Sequence, residues 1–148
     1  MKMIVIGTDG SDCATAALAT ALELAGDTGA GVLCVGVDDS FDKDGIDPVP
    51  TAAAQSAAEQ ARERGIEAEA VTRIGPAAEQ LLAAADDSNA DLIVVGSRGR
   101  GRFTSAVLGS VAYRLIRHSA RPVLVVTAAS HHGDAPVEAT SAAASSDA

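Results

Sequence analysis

The sequence predicts an α/β domain built on an open, five-stranded, mainly parallel sheet with helices on both faces. Three observations lead there. Short apolar runs of strand length alternate with longer Ala-rich segments of helical length. Runs such as Ile4-Val5-Ile6 and Leu92-Ile93-Val94-Val95 are apolar at every position, as strands covered on both faces require. The 148 residues make one domain that buries about two-thirds of the surface its unfolded chain exposes. No metal or disulfide is needed to hold it.

Met3 to Thr8 is read as the first strand. Asp9-Gly10-Ser11 then turns the chain, and Ser11 is a candidate N-cap for a helix reaching about Ala25, with Leu18, Leu22 and Ala25 on one face. Asp27-Thr28-Gly29 closes it. Val32 to Val37 is the second strand. The stretch 38–50, with five aspartates and two prolines, is the longest internal loop and a candidate flap. A second helix is predicted from Thr51 to Arg64, stopped by Gly65, and a third strand from Glu67 to Thr72. Gly75-Pro76 opens a third helix with Pro76 in its first turn and Leu81 and Leu82 as its apolar contacts. The fourth strand is Asp91 to Gly96, a fourth helix follows a glycine-rich loop, and Pro122 to Thr127 is the fifth strand. Alternation of this kind implies right-handed crossovers. The division is thus one domain over 1–127 and a tail over 128–148 whose Ala, Ser, Asp and His content predicts disorder.

Composition narrows the functions. A formal charge of −9 repels nucleic acid and anionic membrane surfaces, and Phe41, Phe103 and Tyr113 as the only aromatics leave no face for stacking bases. No run reaches the ~20 apolar residues of a membrane span. The first residues lead into a strand without a secretory h-region, so the expected location is cytoplasmic. Cys13 and Cys34 form no CxxC pair and read as small buried thiols. Nine Arg to two Lys on an acidic chain also suits a high-salt cytoplasm, a halophilic reading that a stability profile against KCl would check.

Function is sought in the loops after the strands, because open parallel sheets bind ligands at their carboxyl ends. Two of these loops carry the signal, Gly7-Thr8-Asp9-Gly10-Ser11 and Gly96-Ser97-Arg98-Gly99-Arg100-Gly101, the second continuing to Gly109-Ser110-Val111. Glycines let backbone N–H groups converge, and the helix start that follows adds more of them, a cradle for phosphate oxygens. From Leu92 through Gly133 there is no acidic residue, while Arg98, Arg100, Arg102, Arg114, Arg117 and Arg121 all lie there. That asymmetry points to an anion site, with ion pairs elsewhere in the fold as the alternative for some of these arginines. The pattern is neither a Walker A loop, since no Gly-Lys-Ser or Gly-Lys-Thr occurs, nor a dinucleotide fingerprint. No His or Cys cluster has zinc-ligand spacing.

The spacing Gly96, two residues, Gly99, nine residues, Gly109, Ser110 resembles the G-x2-G-x9-G-[ST] signature of the ATP-binding branch of the universal stress protein family. Asp91 to Gly99, Pro122 to Val126 and Thr8 to Ser11 are similar to that family's fourth strand, fifth strand and first loop. The resemblance runs from Met3 to Thr127. It implies a Rossmann-like sheet of order 3-2-1-4-5 with nucleotide, ATP or else ADP or AMP, across the ends of the first and fourth strands; a Mg²⁺ or Mn²⁺ ion would accompany a triphosphate, although the sequence shows no dedicated metal site. Carried over by position, Thr8 belongs to the binding loop, Asp9 contacts ribose and adenine, and Val37 offers backbone groups to the adenine edge. Gly96 and Gly99 approach ribose and phosphate, and Gly109, Ser110 and Val111 hold phosphates; Arg98 joins these candidates on its charge alone. Gly36 stands where the family often has His.

Each residue also has a plainer reading: Asp9 or Ser110 as a helix cap, the glycines as turns, Val37 as core. Three functions follow. The first is a nucleotide-binding stress or signalling module with a protein partner yet to be named. The second is a slow ATPase or phosphoryl or adenylyl transferase. The third is an interaction module without nucleotide. A homodimer is expected through Val123-Leu124-Val125-Val126, an apolar edge strand, the strand through which family members pair.

Overall fold

The computed structural model describes residues 1–40, 47–99 and 108–128. Along them run β1 (Met3–Gly7), α1 (Asp12–Thr28), β2 (Gly31–Asp38), α2 (Pro48–Glu63), β3 (Ala68–Ile74), α3 (Ala77–Asp87), β4 (Leu92–Gly96), α4 (Ser110–His118) and β5 (Val123–Val126). The strands form one parallel sheet of order β3-β2-β1-β4-β5. Central β1 sets the register on both sides, with Ile4 opposite Val32 of β2 and Leu92 of β4.

Strand side chains alternate between the faces, so consecutive apolar residues feed two cores. Ile4, Ile6, Val32, Cys34, Leu92 and Val94 pack against α1 and α2, while Val5, Val35, Ile93 and Val95 pack against α3 and α4. Both cores are aliphatic. Fully burying one side chain such as Leu22 or Ile93 contributes about 1.5–3 kcal/mol. The helices present Ala at closest approach, with Ala17, Ala21, Ala54 and Ala58 buried, which lets them lie close on the sheet.

Local chemistry sets the helix ends. Ser11 Oγ accepts from the Ala14 N–H (3.1 Å) at the start of α1, and Gly29, in the left-handed region at φ +80°, stops it. The second helix begins three residues before the predicted Thr51. The Asp47 carboxylate caps it by accepting from the Val49 N–H (3.0 Å), and prolines fit a first turn, whose N–H groups have no partner within the helix. The predicted 38–50 loop is shortened at both ends, since Asp38 belongs to β2; its residues 41–46 lie outside the described residues. Pro76 is the N-cap of α3 rather than a residue of its first turn. The third strand runs past Thr72 to Ile74, because β2 continues to Asp38 and pairs with it there.

Cys13 and Cys34 are buried free thiols. Burial pushes the Cys34 thiol up to about 11, against a small opposing effect of the Arg62 charge. No helix among the described residues is long and apolar enough to cross a membrane. The tail from 129 onward lies outside the described residues.

Candidate functional site

The chain leaves β1 for β2 on one side of the sheet, while β4 lies on its other side, so a crevice opens beyond the carboxyl ends of β1 and β4. A cavity of about 330 Å³ occupies it. Thr8, Asp9, Val37, Gly96, Arg98, Gly99, Gly109, Ser110 and Val111 all line this cavity. Four separate segments are thereby brought together.

One end is built from backbone amides. The Gly109 N–H donates to the Ser97 carbonyl (2.7 Å), which fastens the start of α4 directly behind the turn after β4. A Cβ on Gly109 would lie 3.0 Å from that oxygen and 3.2 Å from the Arg98 Cα, so any larger residue must push the two segments apart by a few tenths of an ångström. Gly109 is also the N-cap of α4, and no side chain caps this helix. Ser110 is therefore the first helical residue and not a cap. The first-turn N–H groups carry the positive end of the helix dipole into the cavity, an anion site by construction. The N-terminus of α3, likewise without a side-chain cap, contributes Ala77 to the wall.

Across from these amides, Asp9 accepts from the Ser11 N–H through Oδ1 (2.9 Å), which leaves Ser11 as the cap of α1. A Cβ on Gly99 would lie 2.9 Å from Asp9 Oδ2, so the two loops meet at this point, where the Asp9 side chain can yield to a larger residue. Thr8 is buried, and its hydroxyl donates to the Val35 carbonyl (3.1 Å). That hydroxyl braces β1 to β2. Gly96 is explained by packing alone, since a Cβ would meet the Cys13 backbone at 2.6 Å.

The cavity also has an apolar wall, formed by Val35, Val37, Leu81 and Val95. Backbone parity gives Val37 a second character. Gly31 N–H donates to Lys2 O and Val35 O accepts from Thr8 N–H, both toward β1, while Val32 N–H donates to Glu67 O and Asp38 O accepts from Gly75 N–H, both toward β3. By this alternation the Val37 N–H and C=O point toward β1, beyond its last residue, Gly7. They face a gap in the ladder at the cavity wall. Gly36 is enforced by α2: a Cβ there would lie 2.1 Å from the Pro50 carbonyl oxygen.

Arg98 lines the cavity while its Nη2 lies 3.8 Å from Cys13 Sγ. Burial by itself raises the Cys13 thiol. Hydrogen bonds from the Ala128 backbone, the Ser97 hydroxyl and the Arg98 backbone, together with the Arg98 charge, outweigh it and hold the thiol below its ordinary value. Arg121 is engaged elsewhere, donating to Asp86 and to the Ala90 carbonyl, both at 2.7 Å. Arg117 donates to the Tyr113 hydroxyl (3.0 Å). Arg100 and Arg102 lie outside the described residues.

Asp39, Ala77, Leu81 and Ser97 also line the cavity, although none was named as a site residue from the sequence. Ser97, between Gly96 and Arg98, was within reach of the loop argument. Ala77 and Leu81 were legible only as helix residues, because their place at the wall depends on how α3 crosses the sheet.

Residues 1–127 match the family profile described as "Universal stress protein family". A universal stress protein of Thermus aquaticus is 34% identical over 142 residues, covering 84% of this chain and 98% of that one. Against two other curated universal stress proteins the match spans only 49% and 41% of their length. Among solved structures, the universal stress protein from Archaeoglobus fulgidus in complex with dAMP superposes with a TM-score of 0.67 at 27% identity, covering 85% of this chain and 97% of that one. A universal stress protein in complex with cAMP superposes equally, at 0.67 and 27%, covering 86% and 98%.

Proposed function

The chain belongs to the universal stress protein family, and we propose that it is a member of the ATP-binding branch, a stress-response or signalling module that holds an adenine nucleotide in the cavity between β1 and β4. One observation carries the reading: residues from four separate segments converge on a single cavity that is lined both by uncapped helix amides and by an apolar wall. A nucleotide has that polarity. Its base lies on the apolar wall, with the Val37 N–H donating to a ring nitrogen and the Val37 C=O accepting from the exocyclic amine. Asp9 receives ribose hydroxyls. Phosphates lie on the N–H groups of Gly99, Ser110 and Val111, with Arg98 and the α4 dipole balancing their charge. The neighbours solved with dAMP and cAMP support an adenine nucleotide as ligand.

Mg²⁺ or Mn²⁺ would enter with a triphosphate. Among the described residues no group of three or more His, Cys, Asp or Glu stands ready to hold a metal by itself, so phosphate oxygens supply most ligands. The role is binding more than turnover: Asp9 is the one carboxylate in the loop facing the phosphates and already accepts from Ser11, a poor arrangement for a general base. The module is cytoplasmic and works as a homodimer through β5, whose four residues are all half-buried at the sheet edge.

Purification from the host, denaturation, and mass spectrometry of the released small molecules test the reading. Stoichiometric ATP, ADP or AMP is the expected result. An empty protein that gives no heat with ATP and Mg²⁺ in calorimetry would sink it in favour of a nucleotide-free interaction module.

A further inference from the structure

We infer that Asp39 selects the base, discriminating a 6-amino purine from a 6-oxo purine; the inference rests on the nucleotide reading above. Asp39 follows the last residue of β2 and lines the cavity. Its neighbour Asp38 points the other way, into the fold. There the Asp38 carboxylate accepts from the backbone N–H of Ser40 (2.9 Å) and of Asp47 (3.0 Å) and from the Ser40 hydroxyl, and the Asp38 carbonyl accepts from the Gly75 N–H (3.0 Å). Residues on both sides of Asp39 are thus tied down. Strand alternation places Asp39 on the same side as Val35 and Val37, the side of the apolar wall.

The direction of the chain decides what Asp39 would meet. Within one residue of a strand the C=O lies on the C-terminal side of the N–H, so a base read by Val37 turns its position 6 toward residues 38 and 39. An exocyclic amine has two hydrogens. One is donated to the Val37 carbonyl and the second is left for an acceptor on the Asp39 side. A carboxylate accepts and does not donate, so it completes a 6-amino purine and opposes the oxygen of a 6-oxo purine. The Val37 carbonyl also rejects that oxygen; Asp39 adds a charged acceptor to the same test. Discrimination arises because a mismatched base leaves polar groups at the wall without partners.

Calorimetric titration of the full chain with ATP and with ITP, in wild type, Asp39→Ala and Asp39→Asn, tests the assignment. The ratio of the two affinities is the readout, since the Asp39 charge repels both triphosphates equally and cancels. The ATP-over-ITP preference should fall about five- to tenfold in Asp39→Ala. In Asp39→Asn it should fall further, as the amide NH₂ turns to the 6-oxo group and ITP tightens. Because Asp39 is exposed, both variants should keep the wild-type circular dichroism and melting temperature. A ratio unchanged in both variants overturns the role of Asp39 and leaves base reading to Val37. Binding of neither nucleotide by the wild type overturns the nucleotide reading, and the inference with it.

Discussion

The Gly109 N–H reaches the Ser97 carbonyl at 2.7 Å, and this one bond joins the turn after β4 to the first turn of α4. It holds the helix amides beside the cavity. Replacing Gly109 by Val puts a Cβ 3.0 Å from that carbonyl oxygen and 3.2 Å from the Arg98 Cα. The backbone at φ −66° accepts any residue, so the fold survives while the two segments part. Nucleotide affinity in calorimetry should drop at least about tenfold, the equivalent of ~1.4 kcal/mol, with an intact far-ultraviolet spectrum. Wild-type affinity in the variant would refute the clasp.

Gly36 tests a contact remote from the phosphates. Its missing Cβ makes room for the Pro50 carbonyl, which would lie 2.1 Å from it. Gly36→Ala therefore forces β2 and α2 apart and should destabilise the domain by about 1–3 kcal/mol. Gly36→His should cost more, because its side chain is larger still. Thermal unfolding measures both, and an unchanged melting temperature would show that α2 shifts freely.

Acid stability has an identifiable contributor at Asp91. Its carboxylate accepts from the Lys2 and Met3 backbone N–H groups at 2.6 and 3.0 Å; these bonds, with the positive charges of the N-terminus and Lys2, hold it below the ordinary value of 3.8. A depressed folded-state value means stability present above pH 3.8 and lost as pH falls through the lower, folded-state value. Asp91→Asn should flatten the fall in unfolding free energy in that acid range. An identical pH profile in the two proteins would remove Asp91 from the account.

The edge of β5 gives the fourth prediction. Light scattering at micromolar concentration should return twice the chain mass, and Val125→Lys should shift it toward the monomer, because a charged side chain on an edge strand blocks pairing. A wild-type monomer would end the dimer reading.

Much of the fold was legible in the residues. Continuous apolar strands, Ser11 before an Ala-rich helix and Gly29 after it follow from local sterics and capping, which act over a few residues. The start of α2 escaped because two prolines suggest a loop until the Asp47 cap is seen. At the site, the spacing of Gly96, Gly99 and Gly109 was legible, but the reason for each glycine was not. Gly96 yields to the Cys13 backbone and Gly109 to Ser97, neighbours distant along the chain.

The sequence by itself determined the alternation of strand and helix, the acid-free segment rich in arginine and the glycine spacing, because these reside in residue types and short-range order. Only the tertiary structure decided that α4 begins uncapped at the cavity, that Val37 turns its backbone into a gap beyond β1, and that Asp38 points inward while Asp39 lines the cavity. Those outcomes depend on where β1 stops relative to β2 and on how the helices cross the sheet, relations between segments that no local pattern encodes.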